Sequence, residues 1–170
     1  MKQLTMKFLY QKLYAFKKHE LFFKIGFIFA WASLGVARAI VLIFPFARVA
    51  PYLGVSVASF DIQPIVISKL SEQQLKRARQ ISRLVVNTAR YCPWHANCFA
   101  QAIVARVLLG MFGLPYRLYF GLRRENTSLK AHAWVCCNQL FITGDNGFKH
   151  HSVVGCYCCS QCDFATKVSA

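Results

Sequence analysis

Pro93-Trp94-His95-Ala96-Asn97-Cys98-Phe99-Ala100-Gln101-Ala102 is the stretch on which the reading of this chain turns. Pro93 interrupts whatever precedes it, and Asn97 is a favoured N-cap for a new helix. Ala-rich apolar residues continue to Leu109, and Gly113 with Pro115 closes the segment. Cys98 therefore lies one residue inside a helix. A helix N-terminus presents unpaired amides and about half a positive charge, which favours a thiolate. A thiolate is the nucleophile that acyl chemistry needs.

Working outward, Tyr116-Arg117-Leu118-Tyr119-Phe120-Gly121-Leu122 reads as a strand. A polar loop, Arg123 to Ser128, leads to a second strand over Ala131–Cys136. A turn at Asn138-Gln139 gives a third strand, Leu140–Thr143, followed by Gly144-Asp145-Asn146-Gly147. On the N-terminal side, Ser71 and Gln74 form a capping-box pattern. Leu75, Ala78, Ile81, Leu84, Val85 and Ala89 follow at spacings of three and four, which predicts a helix over 71–90. Lys76, Arg77, Arg79 and Arg83 on its other face read as a solvated basic surface. Helices followed by adjacent strands make the fold class α+β.

Alternation along Ala131-His132-Ala133-Trp134-Val135 puts His132, Trp134 and Cys136 on one strand face. A two-residue loop at Asn138-Gln139 pairs 137 with 140. Continued outward, it sets Asp145 opposite His132; a three-residue loop would break that register. Cys98, His132 and Asp145 then have the parts of a nucleophile, a base and an orienting acid. His95, three residues before Cys98, and Trp134 are the residues expected beside the site. His150 and His151 read as loop residues.

The chain has 170 residues, which suits one core; 56% are hydrophobic and 15% aromatic, which excludes a disordered polyelectrolyte. With 21 Lys and Arg against 6 Asp and Glu, the formal charge is +15, so partners are expected to be anionic. The aromatic residues follow core periodicity rather than interleaving with Arg, so nucleic acid is not expected among them. Six lysines fall in the first 24 residues, interspersed with Leu4, Phe8, Leu9, Leu13 and Phe16 as a basic amphipathic helix. Ile25–Ala47 is apolar except for Arg38, long enough to span a bilayer. The competing reading is a pair of docked helices stopped near Pro45, in peripheral contact with anionic lipid. Pro51, Gly54 and Pro64 mark a connection, with an extended piece at 65–67. The expected division is a basic, hydrophobic helical region over 1–65 and a catalytic domain over 66–170.

Eight cysteines include the adjacent pairs Cys136-Cys137 and Cys158-Cys159, which do not read as a disulfide framework. No clean signal peptide is apparent, so reduced thiols and a cytoplasmic location are expected, with membrane association through residues 1–47. Cys156, Cys158, Cys159 and Cys162 spell C-x-C-C-x-x-C. A tetrahedral zinc site needs a second well-spaced pair, so free thiols and no intrinsic cofactor are expected.

Taken together, the block 93–102, Leu108-Leu109, Gly113-Leu114-Pro115, Phe120-Gly121-Leu122 and Ala131-His132-Ala133-Trp134-Val135 resembles the leader-peptidase (B protein) family of lasso-peptide biosynthesis. The resemblance covers about residues 70–155. It implies a transglutaminase-like, papain-related core, with the nucleophile at Cys98, the base at His132 and the acid at Asp145. It also implies a cysteine peptidase that removes the leader from a ribosomally made precursor. The implied partners are that precursor peptide, a separate leader-recognition protein, and an ATP-dependent, asparagine-synthetase-like macrolactam cyclase. Residues 1–65 lack the short alternating strands of a recognition domain, so the chain resembles the stand-alone type. Two other functions fit the same residues: acyl transfer or deamidation on the triad, and a non-enzymatic basic binding protein.

Overall fold

The computed structural model describes residues 21–57 and 70–159. The basic amphipathic helix expected in the first residues, the extended piece at 65–67, the boundary at 65/66 and Cys162 lie outside the described residues.

Helix α1 spans Leu21–Ile43. Pro45, which has no amide hydrogen to donate, ends this run, and a single helical turn, α2 (Phe46–Val49), follows it. The apolar stretch is thus a helix broken at Pro45, and over Ile25–Ile43 it is long and apolar enough to cross a membrane. Ala30, Leu34 and Ala37 are buried in the main core. Gly26 and Gly35 allow close approach to neighbours: a Cβ at Gly26 would meet the Leu84 side chain at 3.0 Å, and one at Gly35 the Trp94 ring at 3.1 Å.

Strand β1 (Val55–Ser56) precedes α3 (Glu72–Arg90). The capping box forms as the sequence predicts: the Gln74 amide donates to Ser71 Oγ at 3.2 Å and the Ser71 amide to Gln74 Oε1 at 2.9 Å. Ala78, Ile81, Leu84, Val85 and Thr88 make its buried face. Helix α4 (Cys98–Met111) is capped by Asn97, whose Oδ1 accepts from the Ala100 amide at 2.9 Å.

Four longer strands follow: β2 (Arg117–Glu125), β3 (Ser128–Cys137), β4 (Leu140–Thr143) and β5 (Ser152–Cys158). The sheet order is β1-β5-β2-β3-β4, with every pair antiparallel. β2 and β3 run further than expected, because Asn126 takes a positive φ of 53° and the turn needs only two residues between Glu125 and Ser128. β5 falls where the sequence was read as loop and tail.

Alternation sorts the strands between two faces. Leu118, Ala133, Val135 and Cys137 join α1, α3 and α4 in one core. Tyr119, Trp134, Cys136 and Cys156 form a smaller cluster on the opposite face. α1 and the elements after Leu70 share a single core, each fully buried Leu contributing about 1.5–3 kcal/mol.

Candidate active site

Asn97 fixes where α4 begins, and so places Cys98 at its first turn. The segment before it is held by its own bonds: Gln101 Nε2 donates to the Ala96 carbonyl at 2.8 Å, and the Asn97 amide to the His95 carbonyl at 3.0 Å. Aromatic rings hold both flanks. Trp94 lies 4.8 Å from Trp31 of α1 between centroids, and Phe99 lies 5.0 Å from Phe120 and 5.9 Å from Phe46.

The fold brings Cys98 and His132 together in a side-chain hydrogen bond. Burial on its own would push the Cys98 thiol up. The hydrogen bond to His132, backbone hydrogen bonds from Ala133 and Phe99, and the imidazolium charge more than offset burial, and the thiol lies below its ordinary range. His132 is raised, first by its hydrogen bond to Cys98 and then, against burial, by the Gly144 carbonyl and the thiolate charge. Both shifts act in the same direction, favouring transfer of the thiol proton to the imidazole.

His132 Nε2 lies 2.8 Å from the Gly144 carbonyl oxygen. A carbonyl only accepts, so Nε2 carries the hydrogen. That tautomer leaves Nδ1 as the free base for the Cys98 proton. Trp134, fully buried, lies beneath the ring at 5.8 Å and is itself stacked on Tyr119 at 5.5 Å.

Asp145 was expected opposite His132, and the structure differs. The two-residue loop at Asn138-Gln139 is present, with Cys137 opposite Leu140 and Cys136 opposite Phe141. The register then shifts, and Val135 faces Thr143, so Ile142 is the extra residue of a bulge. Its freed carbonyl accepts from Ser82 Oγ of α3 at 2.8 Å. β4 ends one residue later. Gly144, at φ +76°, closes against β3 so tightly that a Cβ would stand 2.5 Å from the Ala133 oxygen. The backbone carbonyl of Gly144 is the oxygen that holds His132 Nε2, and Asp145 is exposed at the turn. His95 is also exposed, and only its backbone takes part in the described geometry.

His151 was read as a loop residue, yet its ring lies 5.1 Å from that of His132. Its Nδ1 donates to the Gly147 carbonyl at 2.7 Å. Gly121 makes room for it, since a Cβ there would stand 2.7 Å from the His151 Cβ. The signal that could have found it was the glycine opposite His132 on β2.

The other thiols contrast with Cys98. Burial pushes Cys136 and Cys156 up to about 12 and Cys137 up to about 11. Thiols held protonated in this way are poor nucleophiles and poor zinc ligands near neutral pH. No group of three or more metal-ligating side chains occurs among the described residues.

Neither the curated proteins nor the solved structures gave a match. The family model described as the transglutaminase-like superfamily matches residues 40–154, from the end of α1 into the start of β5. The match covers more than half of the chain, and the chain belongs to the transglutaminase-like superfamily.

Proposed function

We propose that this protein is a cysteine peptidase that removes the leader peptide from a ribosomally synthesised lasso-peptide precursor. The observation that carries the reading is the Cys98–His132 pair, with His132 held by a carbonyl in the tautomer that leaves Nδ1 free. The Cys98 thiolate attacks the scissile carbonyl and forms the S–C bond. The tetrahedral intermediate collapses with loss of the C–N bond, and His132 gives its proton to the departing amine. His132 then takes a proton from water as that water opens the thioester. The Cys98 amide, unpaired at the helix start, is aimed to hold the oxyanion.

The peptide specificity rests on the resemblance of residues 93–102 and 131–135 to the leader-peptidase family. In this reading a separate recognition protein delivers the precursor. The cleaved core passes to an ATP-dependent, asparagine-synthetase-like cyclase. The basic surface, at +15, suits an acidic precursor or partner.

The superfamily includes acyltransferases as well as peptidases, so product mass is the deciding readout. The protein and its Cys98→Ala variant are incubated with a candidate precursor peptide and its recognition protein, then analysed by mass spectrometry. One discrete cleavage, absent in Cys98→Ala, is the expected result. A mass gain on intact peptide points instead to acyl transfer, and a one-dalton change to deamidation. No product from the folded protein with its partner present overturns the reading for that peptide.

A further inference from the structure

Helix α1 has two faces, and only one of them is covered. Ala30, Leu34 and Ala37 are buried at 0%, 0% and 2% exposure. Ile25, Ile28, Phe29, Ala32, Val36, Ala39 and Ile43 are all exposed, recurring at helical spacings over 19 residues, or about 27 Å of helix. The large members are far from marginal: Ile28 is 68% exposed, Val36 60% and Ile43 69%. Phe44 and Phe46 extend the surface past the helix end at 43% and 45%. No polar side chain interrupts the stripe. An uninterrupted apolar surface of this length marks an interaction site rather than ordinary exposure.

We infer that this stripe lies in the interface of an anionic lipid bilayer, with α1 parallel to the membrane plane. Three observations favour lipid as the occupant. The stripe is wholly aliphatic or aromatic, and the exposed Trp31 and Leu42 widen the apolar surface beside it. The sequence leading into it carries six lysines and one glutamate in 24 residues, the charge that anionic head groups attract. A second copy of a chain at +15 would bring like charges together along the same stripe.

Although Ile25–Ile43 is long and apolar enough to cross a membrane, its buried face favours an in-plane helix over a spanning one. To cross the bilayer, α1 would have to leave Leu84 and Trp94, which pack at Gly26 and Gly35, and open the main core. An in-plane helix keeps that packing and places only the stripe among lipid. The inference stands apart from the peptidase reading, because lipid binding is measured without substrate.

The test is co-sedimentation of the full chain with phosphatidylcholine vesicles, with and without phosphatidylglycerol. Binding is expected to need the anionic lipid, to weaken in high salt, and to be stripped by alkaline carbonate. Val36→Glu, at the centre of the stripe, is expected to lower the partition coefficient on the order of tenfold or more, with an unchanged unfolding transition. Val36→Gln separates loss of apolar area from added charge and is expected to show a smaller loss. Absence of vesicle binding, or binding unaffected by Val36→Glu, overturns the inference. So does release by detergent alone, which indicates a spanning helix. A concentration-dependent dimer broken by Val36→Glu, with no vesicle binding, assigns the stripe to a second copy instead.

Discussion

Replacing Gly144 separates two accounts of how His132 is held. In Gly144→Ala the new residue sits at φ +76°, which costs about 1–2 kcal/mol for an L side chain. Its Cβ would also stand 2.5 Å from the Ala133 oxygen and 2.7 Å from the Trp134 Cβ, so the turn must move. Together these are expected to cost at least about 2 kcal/mol, or about 4–8 °C in Tm for a chain of this size. The carbonyl on His132 Nε2 moves with the turn. Losing about 1.5 kcal/mol of hydrogen bonding to an imidazolium reduces the ion-pair population about tenfold. The assay is the rate of Cys98 alkylation by iodoacetamide near neutral pH, followed by mass spectrometry, beside a denaturant melt. Asp145→Ala, at an exposed position, is expected to change the rate by less than about twofold and stability by under about 0.5 kcal/mol. If Asp145→Ala slows alkylation as severely as Gly144→Ala does, the carbonyl is not what orients the ring, and the argument fails.

His132→Ala removes the side-chain hydrogen bond and charge that lower the Cys98 thiol against burial, leaving only the backbone hydrogen bonds from Ala133 and Phe99; its alkylation profile is expected to move to higher pH than in the wild type, and superimposable profiles would refute the pairing. Cys136, Cys137 and Cys156, pushed up to about 12, about 11 and about 12, are expected to remain unlabelled until the protein unfolds. Ser82→Ala strands the Ile142 carbonyl at the bulge, with an expected cost of about 1–3 kcal/mol in a denaturant melt and slower Cys98 alkylation, because the same bulge sets Gly144. Ser71→Ala removes the capping box and is expected to cost about 1 kcal/mol with no effect on Cys98 reactivity.

The local signals in the sequence were the dependable ones. Ser71 with Gln74 and Asn97 with Ala100 act within one turn of chain, and both caps form where the residue types place them. The hairpin at Asn138-Gln139 was legible for the same reason. The Ile142 bulge was not, because it is completed by a hydroxyl 60 residues away on α3. Carrying the unbulged register outward from the turn paired Asp145 with His132, whereas the bulge moves the pairing by one residue and β4 ends at Thr143. β5 escaped notice because its cysteines suggested ligands, while their actual setting is one face of a strand on which Cys156 and Cys158 are buried and Ser152 and Val154 are exposed. His151 enters the site only because that strand returns antiparallel to β2 beside Gly121.

The apolar N-terminal helix is more than an attachment to this site. Trp31 of α1 packs on Trp94, four residues before the nucleophile, and Gly35 leaves just enough room for the Trp94 ring. Phe46, just past the Pro45 break, packs on Phe99, the residue after the nucleophile. Cys98 is thus bracketed by two residues that the N-terminal helices hold in place. A helix serving only to meet lipid would tolerate changes on its covered face without consequence for the thiol. Gly35→Leu forces a side chain into the 3.1 Å gap against Trp94, an overpacking that costs about 1–3 kcal/mol and must displace the segment leading to Cys98. The expected outcome is slower Cys98 alkylation in a protein that still folds and still binds anionic vesicles, since the exposed stripe is untouched. Alkylation at the wild-type rate, in a Gly35→Leu protein of reduced stability, would show that the strain is absorbed in α1 and that the nucleophile is positioned by Asn97 and the sheet alone.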